Sequence, residues 1–354
     1  MFTPSFCPYF ECSQHLDPNH TFYVRFGSYH PQCRPRPVQR FRCKSCLRTF
    51  SRQTFRADFR DRKPHLNAQL FTKIASGTGI RQCARDLDLS PRCTELKLHK
   101  IGRHLRRLNL NLQGLLAEEA KLHFDEIETY EGQRNTRPLS VPVLIETESR
   151  FIIWAETAPI RPRGKMTKKR VKAIKDSEMR YGIRKDLSQR SVERTLRRGA
   201  RMVNNSATVT FNTDEKSSYP RIAKSVFSEN RVRHITTNSK LVRMTFNPLF
   251  PINHEEARMR DLMSRLRRES WLVSKKRRYL DVAFHVHIAY RNLVRRRFNR
   301  DKESPAQLLG FLPRRLTPTE VLSWRQEWKG RSVHPLSKSG ESVECWKKRN
   351  AVAA

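Results

Sequence analysis

The chain of 354 residues has no uninterrupted apolar stretch near the roughly 20 residues that a bilayer-spanning helix needs, so no membrane crossing is expected. Met1 to Cys7 carry neither a basic segment nor an apolar one, and the sequence predicts no secretion leader. Acidic residues are scarce: 34 Asp and Glu face 72 Lys and Arg. The resulting charge of +38 repels itself in a compact state unless a polyanion neutralises it. Nucleic acid is the natural partner, because each phosphate contact releases condensed counterions. A solvated basic surface and an anionic membrane surface are the competing readings. Basic residues run through every segment. Some runs are pure Arg, as at Arg295, Arg296 and Arg297, and Arg is the better bidentate phosphate ligand.

Cysteine is also sparse, with eight in all and five before residue 47. Without a leader, a disulfide framework is not expected and a metal site is. Cys7 and Cys12 form one short-spaced pair, Cys43 and Cys46 another, and two such turns can close a tetrahedral thiolate site around zinc. The run from Phe22 to Phe26 reads as a strand, and Phe41 and Phe50 offer a small core that the metal would complete. Cys33, His15, His20 and His30 are alternative ligands. Residues 1–60 are therefore expected to form a zinc ribbon.

Leu66, Leu70 and Ile74 have helical spacing, and Ile80, Ala84 and Leu87 mark a second short helix. Ser90-Pro91 reads as an N-cap with Pro at the first helical position. A third helix follows with Leu98, Ile101, Leu105 and Leu108 on one stripe, and with Arg92, Lys97, Lys100, Arg103 and Arg107 off it. Three helices with a basic last one predict a helix-turn-helix over 61–112, its final helix contacting DNA.

From residue 118 the pattern changes. Strands are expected at 122–127, 141–145 and 151–155, then a helix at 189–203 and a strand at 207–211. A helix at 219–227, a strand at 232–236 and a long helix after Asn253 complete the series. Three strands followed by helix-strand-helix-strand-helix is the element order of an RNase H-like α/β core with a mixed five-stranded sheet, assigned to 118–300. That order puts Asp125 on the first strand and Asp214 just after the fourth. Paired carboxylates held by strands suit two-metal phosphoryl chemistry, which needs several hard oxygen ligands. The basic run Lys168, Lys169 and Arg170 reads as a phosphate-contacting loop, and 301–354 as a partly mobile extension with Trp324 and Trp328.

The four cysteines, the helix-turn-helix, Phe124-Asp125-Glu126 and Thr213-Asp214-Glu215-Lys216 together resemble bacterial insertion-sequence transposases of the DDE superfamily. Met259-Arg260-Asp261, Ser264-Arg265-Leu266 and Ser274-Lys275 resemble the end of their catalytic domain. The resemblance covers roughly residues 7 to 300. It implies metal-dependent strand cleavage and transfer, with Mg or Mn at Asp125 and Asp214 and structural Zn at the cysteines. It also implies double-stranded DNA as partner, assembly into a homo-oligomer on transposon ends, and a bacterial cytoplasmic, nucleoid-associated location. One departure matters: where the family has Glu near the start of the last helix, the register sets Asn253. Asn253 is expected to make the third metal contact, with Glu256 one turn along the same helix face as support or substitute, while Glu255 would point elsewhere and His254 is a further donor. Asn253 as a simple N-cap is the competing reading. A catalytically inactive, domesticated relative that binds DNA as a regulator is the alternative function.

Overall fold

The computed structural model describes residues 2–33, 36–116, 118–204, 207–228, 231–242, 244–267 and 270–325. Trp328 and the carboxyl-terminal stretch from 330 lie outside them. The fold is mixed α+β in two compact units. One is drawn from residues 1–73, 80–112 and the described residues from Leu316 onward; the other comprises 74–79 and 113–315. Among the described residues no helix is long and apolar enough to cross a membrane.

The first unit opens with α1 (Ser13–Leu16) and a small antiparallel sheet of β1 (Tyr23–Tyr29), β2 (Val38–Cys43) and β3 (Thr49–Ser51), in that order across the sheet. Alternation along a strand sends successive side chains to opposite faces. Phe41 and Cys43 therefore turn inward, where Phe6, Phe22, Phe50 and Phe55 close a core around the cysteines. Helices α2 (Asn67–Ala75), α3 (Ile80–Asp86) and α4 (Pro91–Asn111) follow. Ser90 caps α4 by accepting from the Cys93 N–H at 3.2 Å, and Leu98, Ile101, Leu105 and Leu108 are all buried along one stripe. Residues after Leu316 return to this unit. The His104 ring nitrogen lies 3.3 Å from the Val321 carbonyl, and the Trp324 ring stands edge-on to His104.

The second unit is a sheet covered on both faces. Its strands are β4 (Glu119–Tyr130), β5 (Pro138–Glu146), β6 (Ile152–Ala155) and the two-residue β7 (Ala158–Pro159). After α5 (Lys168–Tyr181) and α6 (Ser188–Ala200) come β8 (Thr208–Thr213), α7 (Tyr219–Phe227) and β9 (Val232–Thr236). The order across the sheet is β6-β5-β4-β8-β9, with β7 beside β5. β4, β5 and β6 are antiparallel neighbours, whereas β4, β8 and β9 run parallel. β5 is buried along nearly its whole length, as a strand covered on both faces must be. α6 crosses so near the sheet that a Cβ on Gly199 would sit 2.5 Å from a Leu144 methyl, which is why that helix carries a glycine. On the opposite face lie α8 (Phe250–Leu262) and α9 (Arg277–Ala289). Ile252, Met259, Leu280, Phe284 and Ile288 there pack with Ile127, Val141, Val143 and Ile145 of the sheet. α9 ends in a π-helical turn, Tyr290–Val294, and α10 (Pro305–Leu308) follows.

Three sequence expectations change. The run read as a loop, Lys168 to Arg170, is the first turn of α5, capped by the Thr167 hydroxyl and ended at Gly182 with φ 79°. No residue of α5 is buried, so the apolar stripe that would have betrayed it is missing. The long helix after Asn253 is two helices, α8 stopping after thirteen residues at Met263. The extension from 301 also divides: Ala306 and Phe311 are buried in the second unit, where the Phe311 ring meets Phe151.

Candidate metal centres and carboxylate site

Cys7, Cys12, Cys43 and Cys46 bring their sulfurs within 4.8 Å of one another, three of them buried. The Cys7–Cys46 and Cys12–Cys43 distances are 3.7 and 3.6 Å. A tetrahedron with metal–sulfur bonds of about 2.3 Å has sulfur–sulfur edges of about 3.8 Å, whereas a disulfide needs about 2.05 Å. The cluster thus fits a structural zinc. Burial pushes the Cys7 thiol well above its ordinary range, and burial also raises Cys12; a cation among the sulfurs offsets that penalty. The alternative ligands do other work. His15 Nδ1 lies 2.6 Å from the Cys7 carbonyl, and the Cys33 thiol donates to the Asp61 carbonyl. We expect about one zinc per chain by metal analysis. Cys43→Ser should release it and unfold the surrounding phenylalanine core, because burial of so few apolar side chains cannot hold a module of this size without its metal. Soluble, folded chain with no zinc would overturn this.

In the second unit, β4 and β8 are parallel neighbours with His123 opposite Asn212. Asp125 stands two residues further along β4 and, by alternation, shares the face of His123; Asp214 follows Thr213, the last residue of β8, and its charge acts on Asp125. The Asp125 face is that of Val143 and Ile127, over which α8 packs. Glu126, next in sequence, points to the other face, where it accepts from Tyr219 Oη at 2.7 Å, Ser140 Oγ at 2.5 Å and Lys216 Nζ. Adjacent carboxylates therefore have separate tasks: Glu126 is spent on a clasp between β4, β5 and α7, and Asp125 faces Asp214. The Asp214 carboxylate also accepts from the Lys216 backbone N–H at 3.2 Å, which fixes the turn after β8.

Burial, together with the neighbouring charges of Asp214 and Glu126, pushes the Asp125 carboxyl from 3.8 up to about 6; Arg260 on α8 acts in the opposite direction. Between about pH 4 and 6 the folded chain keeps a proton that the unfolded chain has lost. Stability therefore falls as pH rises through that window and stays lowered above it. Asp125→Asn should raise the unfolding midpoint at pH 7, with no magnesium added, and lose the advantage below pH 4. Equal midpoints at pH 7 would mean that the carboxylate is not strained there.

The helix start resolves the competing residues differently from a capping reading. α8 begins at Phe250 with Leu249 at its cap position, so Asn253 lies inside the helix, its N–H bonded to the Leu249 carbonyl. Asn253, Glu256 and Arg260 fall on one face at helical spacing, and Arg260 Nη1 donates to Glu256 at 3.2 Å. Glu255 is fully buried and held by Arg291 through two bonds of 3.0 and 2.7 Å. Burial alone would push its carboxyl up, but the Arg291 guanidinium holds it below its ordinary value. His254 stacks against Phe250. Among the described residues, the four cysteines are the only group of three or more His, Cys, Asp or Glu with ligand atoms so closely gathered. No third such donor is drawn up to Asp125 and Asp214 to that standard.

Sequence reasoning assigned no role to His123, Lys216 or Tyr219. His123 is buried on the Asp125 face, and its Nε2 donates to the Pro248 carbonyl at 2.8 Å, tying β4 to the start of α8. Burial lowers its pKa to about 4. The signal available was position: His123 is two residues before Asp125, hence on the same face.

The expected DNA contacts separate. Lys97 is 3% exposed and bonded to Asp61, Asn67 and the Lys63 carbonyl. Lys100 also reaches Asp61 and the Phe59 carbonyl. The long apolar stem of Lys lets it turn inward once a buried carboxylate offers a partner, so Lys97 does not sit on an outward basic face. Arg92 and Arg103 are exposed and Arg107 is half-buried. Lys168 and Lys169 are exposed, whereas Arg170 donates to the carbonyls of Arg163 and Lys165. Comparison with protein-family models gives no match, and comparison with curated proteins gives none.

Proposed function

We propose that the chain is a DDE-type transposase that cuts DNA at transposon ends and joins it to a target, using an RNase H-like core. The observation that carries this is the pairing of Asp125 on β4 with Asp214 just past the end of the neighbouring parallel β8, Asp125 being strained by burial and like charge. The strand order β6-β5-β4-β8-β9, antiparallel on one side of β4 and parallel on the other, supports the RNase H-like reading. Helices α2 to α4 resemble a helix-turn-helix, and the charge of +38 suits a DNA partner.

A divalent cation fits the donor pair, since magnesium is commonly held by one or two carboxylates together with substrate phosphates. Asp125 and Asp214 would hold it, and it would supply Lewis-acid stabilisation of charge on the phosphoryl and leaving oxygens. Arg260 links this face to a cleft of about 400 Å³ lined also by Arg134, Arg161, Arg163 and Arg170. Guanidinium groups there would hold the phosphates of a strand bidentately and orient it. The cysteine cluster would carry zinc, and the working form would be a homo-oligomer on double-stranded terminal repeats in the bacterial cytoplasm.

The absence of a gathered third His, Asp or Glu donor among the described residues favours a second reading, a catalytically inactive DNA-binding regulator. A supercoiled plasmid carrying the sequences that flank the gene, incubated with zinc-loaded full chain and Mg²⁺ or Mn²⁺, separates the two. Nicks at the repeat ends support the transposase, specific binding without nicks supports the regulator, and neither result would leave both readings without support.

A further inference from the structure

We infer that the outer face of the small β1–β2–β3 sheet is a second nucleic-acid site, a stacking platform for single-stranded DNA centred on Phe26. In β1 the residues from Val24 to Ser28 are all exposed, and β1 is one of the two edge strands of its sheet. Its pairing with β2 is broken between Arg25 and Ser28 by a bulge at Gly27, with φ 64°. Bulges re-aim the side chains beside them, and this one leaves Phe26 39% exposed on the face away from the cysteine core. On that face, Arg42 and Arg40 of β2 place their guanidinium carbons 4.7 and 5.6 Å from the centre of the Phe26 ring. Val24, opposite Arg42, is 38% exposed on the same side.

The surroundings select the occupant by charge. Between Asp17 and Asp58 the sequence has no acidic residue and nine Lys and Arg. A folding role does not need Phe26, because Phe41, Phe50, Phe22 and Phe55 fill the core on the other side. A partly exposed ring with guanidinium groups lying over it offers a base its remaining π-face or the guanidinium plane upon it, and offers cations to the phosphates. That combination favours unpaired bases, whose faces are open, over a stacked duplex, whose faces are not. The choice of DNA over RNA rests on the proposed function; the choice of an unpaired strand rests on the platform alone. In that function the platform would take up bases frayed at a cut end.

The test uses the zinc-loaded full chain and oligothymidylate of ten nucleotides, its RNA equivalent, and a duplex of the same length. Single-stranded DNA should photocrosslink to Phe26 when it carries 5-iododeoxyuridine, as read by peptide mapping. Phe26→Leu should weaken single-strand affinity at least about fivefold, and Phe26→Trp should retain it. R40Q and R42Q should each reduce the slope of log affinity against log salt by about 0.7, the value for one phosphate contact on a single strand. Zinc content and unfolding midpoint, measured on every variant, identify any that fails to fold; the crosslink on the unaltered chain does not depend on variants. Equal affinity of Phe26→Leu and wild type, a crosslink elsewhere, loss confined to the duplex, or self-association through the β1 edge that Phe26→Leu abolishes would each overturn the site. A preference for the RNA strand would overturn the DNA assignment. Plasmid nicking, assayed in parallel, keeps the inferences apart: nicking with no Phe26 effect removes only the platform, and a Phe26 effect with no nicking removes only the transposase.

Discussion

Asp125→Asn and Asp214→Asn should each cut Mg²⁺-dependent nicking and joining by roughly 10⁴- to 10⁶-fold, the scale of removing one member of a group that acts in concert. The double variant should be little worse than either single one, for the same reason. The amide keeps the size of the side chain while removing the charge that would hold the cation, so DNA binding should stay within about twofold. The strain on Asp125 adds a control that most catalytic substitutions lack. If the carboxylate costs stability at neutral pH because of burial and its Asp214 neighbour, the inactive Asp125→Asn chain should also be the harder one to unfold. A cleavage assay and a urea titration on the same preparation read both. Near wild-type cleavage by either variant would remove that residue from the reaction, and loss of cleavage together with loss of folding would point to a structural role.

The second large effect is on stability. Glu255 and Arg291 are both buried, 0% and 1% exposed, and share two hydrogen bonds, with Arg258 adding a third contact at 3.4 Å. Removing one partner leaves the other charge buried and uncompensated, so Glu255→Ala or Arg291→Met should cost about 3–5 kcal/mol. Replacing both at once should cost less than the sum, since no orphan charge remains. Any loss of cleavage in Glu255→Ala should therefore follow the fraction unfolded. Asn253→Ala and Glu256→Ala, on the face shared with Arg260, should instead leave most of the chain folded and raise the Mg²⁺ needed for cleavage. A well-folded Glu255→Ala chain that has lost all cleavage would place the missing donor at Glu255 after all.

What was legible in the sequence was what periodicity and spacing encode. The cysteine pairs, the apolar stripe of α4 and the strands bearing Asp125 and Asp214 could be read, because each repeats a side-chain type at the period of its element. α5 could not, since a helix with no buried residue has no stripe to find. Nor could the inward turn of Lys97, which depends on Asp61, 36 residues away in sequence. The partner of Glu255 was hidden for the same reason: Arg291 looks like one more member of a basic run until the π-helical turn places it in the core. Distant pairing of opposite charges leaves no local signature, and a chain with twice as many cations as acids offers many wrong partners for every right one.

The neighbouring carboxylates of β4 also bear on how such a chain can change over evolution. A single-residue deletion ahead of Asp125 would slide the strand by one place and exchange the faces of every side chain on it. Glu126 would then stand beside Asp214, while Asp125 turned toward Tyr219 and Lys216. An acid would still be present at the site, so the sequence would look intact, yet a longer side chain would occupy the position and the clasp that Glu126 makes would be gone. Nine paired positions between β4 and β5 oppose such a slip. Descendants of this chain should therefore tolerate length changes in the turns flanking β4 but not within it, and a lineage that lost its chemistry by this route would keep both acids in its alignment.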